Sequence, residues 1–151
     1  VSEEFRRRRS GRPGDLILRN LGYLVTALMP QMTDCGPFFL SRHRHDIDSH
    51  DPQTGQPFDL SARVRLSPVL DLPLWLGPER VPVRLVALPV PEDVANQRRH
   101  RAKALALRSQ RSLPGHEHLF LMGWNLFLTN VPASDLAAQG PGRGLPAALA
   151  Y

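Results

Sequence analysis

The interpretable part of the chain opens with apolar residues at "GDLIL". Leu16, Ile17 and Leu18 follow Asp15 without interruption, and residues 15–19 read as a strand that delivers Asn20 to a turn before Gly22. The period then changes in "YLVTALMPQMTDCG". There Leu24, Leu28 and Met32 share one helical face, Gly36 supplies a C-cap, and Pro30 implies a kink or an early end. "PFFLSRHRH" alternates again, with Phe39, Ser41 and His43 on one face of a strand and Phe38, Leu40 and Arg42 on the other. The turn residues of "DPQTGQP", 51–57, predict a hairpin joining two strands. Residues 66–80, broken by prolines and a glycine around Trp75, show no period and receive no assignment.

"VPVRLVALPV", 81–90, is a strand whose two faces are both largely apolar, which predicts burial on each side. Residues 92–111 predict a helix with Glu92 and Asp93 in its first turn and bases in the remainder, a polarity that suits the helix dipole. "HLFLMGWNLFLTNVP", 118–132, reads as one long return strand with Gly123 as a bulge or kink. The ends differ from this middle. The first 13 residues carry five arginines and no apolar period, so a solvated basic arm is expected. From Ala133 onward, "ASDLAAQGPGRGLPAALAY" offers no periodic apolar face, and a disordered tail is expected over 133–151. The order is β-α-β, a β-rich middle, a basic helix and a return strand, which makes the fold class α/β.

Composition narrows the class. With 151 residues, 42% of them hydrophobic and 22% charged, the chain can bury one real core but not two large ones. No run of about 18 apolar residues occurs, so no membrane partner is expected. No apolar segment follows the N-terminal arginines, so no secretory signal is expected. The lone Cys35 rules out an internal disulfide framework, fits a reducing cytoplasm, and has no adjacent His to make it a nucleophile.

Charge adds a direction. Nineteen bases stand against 14 acids, all but Lys103 being arginine, and the pI is about 10.6. Such a surplus suits a nucleic-acid partner, although arginine-rich codon usage yields the same composition. The candidate phosphate contacts are Arg42 and Arg44 on the second strand and Arg98, Arg99, Arg101 and Lys103 on the helix, with Arg108 and Arg111 beyond them. Each has a plainer alternative as a solvated surface charge. "HRHDIDSHD", 43–51, invites a metal site from His43, His45, Asp46, Asp48 and His50, but its spacing matches no defined zinc motif. Trp75, in the proline-rich stretch, is the more open candidate for base stacking, and Trp124 reads as core by its parity with Leu126 and Leu128.

Taken together, "GDLILRNLGYL", "GPFFLSRHRHD", "DPQTGQPFDL", "VRLVALPVPEDVANQRRHRAKA" and "GWNLFLTNVPASDL" resemble, in order, successive blocks of a DDE-type insertion-sequence transposase. The resemblance covers roughly residues 14–136. It implies part of an RNase H-like core, residues 14–45 and the return strand 118–132, around a β-rich insertion with the basic helix, 46–117. It also implies an ancestral activity, Mg²⁺-dependent DNA cleavage and strand transfer, in which three acids hold the metal ions.

The second of those acids falls on Asn20, whose neutral amide holds Mg²⁺ far more weakly than a carboxylate. Asp15, on the opposite strand face, and Asp34, at the far end of the next helix, are poor substitutes. The resemblance puts the first acid upstream of residue 1. The third is a Glu on a helix after "LTNVP", where this chain has "AAQGPGRGLPAALAY" and no Glu occurs after Glu117. The expectation is an inactive fragment that binds no Mg²⁺ and keeps some affinity for DNA. The alternative is a small basic DNA-binding or regulatory protein that acts on an intact transposase.

Overall fold

A computed structural model describes residues 15–19, 38–43, 47–67 and 69–135. Six strands lie in one sheet: β1 (Leu16–Arg19), β2 (Phe38–Arg42), β3 (Ser49–His50), β4 (Leu70–Leu76), β5 (Val81–Pro89) and β6 (Trp124–Thr129). Their spatial order is β1-β2-β6-β5-β4-β3. β1 runs parallel to β2, and every other neighbouring pair is antiparallel. Three helices accompany the sheet among the described residues: α1 (Leu60–Leu66), α2 (Glu92–Arg108) and α3 (His116–Leu121). The fold is mixed α/β.

Register sorts the side chains onto two faces. On one face, Phe39 of β2, Leu128 of β6, Val81, Val83, Leu85 and Ala87 of β5, and Leu70, Leu74 and Leu76 of β4 form the main core. Leu60 and Val64 of α1 close over it, with Phe120 and Leu121 of α3 packed alongside. On the other face Leu40, Val86 and Phe127 make a smaller buried cluster, backed by Leu88. β5 is thus buried on both sides at its centre, as its apolar run predicts. Strands from the expected core (β1, β2, β6) and from the expected insertion (β4, β5) hydrogen-bond side by side in the same sheet.

Several sequence expectations need correction. The stretch 118–132 is not one strand. Its first residues complete α3, and only Trp124–Thr129 is extended. Gly123 lies at the junction, where a Cβ would come within 3.3 Å of the Phe120 carbonyl oxygen and 3.5 Å of the Arg99 guanidinium. A short apolar run such as "LFLM" satisfies a helical period as readily as an alternating one. Here docking Phe120 onto the ring of Trp124, 4.6 Å between centroids, is compatible with the helix.

The 51–57 turn returns only as a single bridge, His50 to Pro57, and then enters α1 rather than a second strand. Asp59 starts that helix by accepting the Ala62 N–H at 2.9 Å. The unassigned stretch 66–80 holds the end of α1 and the whole of β4, followed by a turn through Gly77 (φ 65°) into β5.

α2 ends at Arg108, short of the expected 111, because Gln110 takes a left-handed conformation (φ 51°). Gln110 N–H then donates to Leu107 O at 3.2 Å and Arg111 N–H to Ala106 O at 2.9 Å, the paired bonds of a Schellman cap. The expected arm, the helix after β1 and the expected tail beyond Asp135 lie outside the described residues.

Candidate nucleic-acid interface

α2 carries the densest basic run of the chain, and the structure divides its bases into two groups. Ala95 and Ala106 are buried and Val94, Arg98, Arg99 and Ala102 half-buried, which fixes the inward side of the helix. Arg98 therefore points back into the protein. It donates to Asn125 Oδ1 at 2.8 Å and, at longer range, to the carbonyls of Trp124 (3.3 Å) and Met122 (3.5 Å). Burial, and secondarily the charge of Arg42, hold the Arg98 pKa below the ordinary arginine value. Arg99 is engaged as well: it donates to Leu119 O at 3.0 Å, to Asn96 Oδ1 at 2.9 Å and to Glu92 Oε1 at 2.7 Å. Both guanidiniums tie the helix to the α3–β6 segment.

Arg101, Lys103 and Arg108 project outward and are exposed, and Arg111 lies just past the cap. No acid occurs between Asp93 and Glu117, and among the described residues the ion pairs reach α2 only through Arg99. The outward side is not purely polar: Leu105 and Leu107 are 66% and 68% exposed. Helices whose apolar residues do not gather on one side are held by tertiary anchors rather than by an amphipathic stripe. In α2 the inward arginines supply such anchors.

A cleft of about 370 Å³ opens where β2 ends and β6 begins, walled by Arg42, His43, Arg98, His118, Trp124 and Asn125 together with apolar neighbours. No carboxylate lines it. Two features bring these residues together across the chain. The β2–β6 ladder runs on to a bond from His43 N–H to Leu126 O at 2.8 Å, and α2 reaches over to Asn125 through Arg98. A second cleft, about 410 Å³, shares His43 and His118 but is lined by Asp48, Asp59 and Glu117.

Of the residues singled out from sequence, Arg42 and Arg98 meet at the first cleft, and Arg99, Arg101 and Lys103 sit on α2 outside it. Asn20 and Arg44 lie outside the described residues, as do Cys35, His45 and Asp46. His43, Asp48 and His50 do not assemble into a metal centre: among the described residues no group of three or more His, Cys, Asp or Glu side chains is placed to hold an ion.

Trp75 is half-buried, paired with His50 across β3–β4, and has the Arg80 guanidinium 5.3 Å from its ring centre, so it is less open than its sequence setting implied. Trp124 packs against the main core, as its parity indicated. Sequence reading missed His43 and His118 as cleft residues. No local signal marks them, since they come together only through strand pairing and the α3 turn.

No helix of the described residues is long and apolar enough to cross a membrane. Compared with known proteins, the chain matches no family model, no curated protein and no solved structure.

Proposed function

We propose that this chain is an internal segment of a DDE-type transposase, inactive in DNA cleavage as it stands, whose retained property is sequence-independent affinity for DNA. The observation that carries the DNA reading is the outward side of α2. Arg101, Lys103 and Arg108, with Arg111 beyond, are exposed, and no acid lies between Asp93 and Glu117 to neutralise them. Such a surface exchanges its counterions for phosphates without reading bases.

Support for the family reading comes from the five sequence blocks and from the parallel pairing of β1 with β2, an arrangement compatible with neighbouring strands of an RNase H-like core. The donor set does not fit the family's Mg²⁺. Asn20 presents a neutral amide where a hard cation requires a carboxylate, so no metal-dependent step is assigned to this chain. The decisive assay is nicking of supercoiled plasmid in Mg²⁺. Neither the wild type nor Asn20→Asp should nick, and robust nicking by Asn20→Asp alone would mean that the remaining acids are supplied from elsewhere in the chain.

One observation favours a second reading, a small basic DNA-binding or regulatory protein acting on an intact transposase. The strands expected to divide between core and insertion share one sheet and one apolar core, as a selected folding unit would. A cooperative thermal transition of the isolated chain favours this second reading, and a broad, non-cooperative one favours the remnant.

A further inference from the structure

The cleft at the end of the sheet gathers positive charge on walls that carry no carboxylate. Arg42 and Arg98 stand on those walls, and the imidazoles of His43 and His118 adjoin them. Two guanidiniums in one partly desolvated space repel each other, and the lowered Arg98 pKa reflects burial first and the Arg42 charge second. A second observation is independent of charge: the indole Nε1–H of Trp124 is buried and has no acceptor. A buried donor left without a partner is uncommon in folded proteins and points to a group that completes it. An oxyanion answers both features, placing negative charge between the arginines and an acceptor at the indole.

We propose that this cleft binds a phosphomonoester, with Arg42 and Arg98 taking its charge and Trp124 Nε1 donating to one of its oxygens. A monoester suits the site better than an internal diester. Its near-dianionic charge matches two fixed guanidiniums, its three terminal oxygens suit planar forked donors, and a space of about 370 Å³ holds a single small group. The site is separate from the outward side of α2, because Arg98 faces inward on that helix while Arg101, Lys103 and Arg108 face solvent. It does not depend on the transposase reading.

The test is a titration of the full chain with inorganic phosphate, following the two indole N–H resonances by heteronuclear NMR. The Trp124 signal should move and saturate in the millimolar range while the Trp75 signal stays. Arg42→Gln removes an exposed side chain at a strand end and spares the fold; it should weaken binding by about tenfold or more. Arg80→Gln, at the β4–β5 turn, should leave it unchanged.

A 5′-phosphorylated and a 5′-hydroxyl oligonucleotide of the same sequence then separate the sources. Binding at the Trp124 signal by the phosphorylated strand alone identifies a nucleic-acid end as a ligand, and binding by free phosphate but neither strand identifies a small metabolite. The proposal is overturned if the Trp124 resonance does not respond to phosphate, if Arg42→Gln titrates like the wild type, or if the 5′-hydroxyl strand shifts it equally.

Discussion

Arg98 of α2 donates to Asn125 Oδ1 of β6 at 2.8 Å, a bond that ties the most basic helix of the chain to a central strand of its sheet. The same guanidinium reaches the carbonyls of Trp124 and Met122, so one side chain serves three acceptors on the α3–β6 segment. Arg98→Leu leaves those acceptors without their donor and should cost about 1–3 kcal/mol, measured as a lower denaturant midpoint at unchanged m-value. Arg98→Lys keeps the charge but not the planar fork, and should recover only part of the loss.

A second long-range clamp involves the "LTNVP" block. Asn130 Oδ1 accepts the Phe39 N–H at 2.7 Å, and Thr129 Oγ1 donates to the Phe39 carbonyl at 2.5 Å while accepting the Val131 N–H at 3.0 Å. Thr129 is fully buried. Thr129→Val preserves the shape and removes both bonds, so it should destabilise the fold by about 1–3 kcal/mol in chemical denaturation. Loss of less than about 0.5 kcal/mol, the range of ordinary surface substitutions, would mean the clamp is not maintained in solution.

Much of the sheet was legible in the sequence. β1, β2 and β5 follow continuous or alternating apolar runs, and α2 announces itself by acids in its first turn and bases after it. β4 was hidden by Pro73, which argues against a central strand. The structure resolves this: β3 pairs only with Trp75 and Leu76, so at Pro73 β4 is a sheet edge, where a missing N–H is tolerated. α3 was hidden because six residues do not settle a period.

The cleft could not be read from the sequence at all. Arg42 and Arg98 are far apart along the chain and meet only through the β2–β6 register and the crossing of α2. Asn20, the residue that the family resemblance marks most clearly, lies outside the described residues.

Gln110 offers a test of local strain. Its φ of 51° is a left-handed value that a side chain disfavours and glycine adopts freely, and the Schellman bonds at the end of α2 require it. Gln110→Gly should therefore raise stability, by about 1 kcal/mol, the order of the left-handed penalty, less what glycine's freedom costs in the unfolded chain. Thermal melts of the two proteins at equal concentration measure the difference. A lowered melting temperature would show that the helix ends differently in solution.

The most direct test of the DNA-binding assignment is the salt dependence of binding to random-sequence duplex DNA. The wild type should bind with a log-log salt slope of about −2 to −4, as expected if two to four phosphates meet Arg101, Lys103, Arg108 and Arg111. A variant with those four residues changed to Gln should lose most of both affinity and slope. It should still unfold like the wild type, because none of the four side chains is buried or ion-paired among the described residues. Equal affinity and an equal slope in the two proteins would contradict the assignment of α2 as the DNA-facing surface.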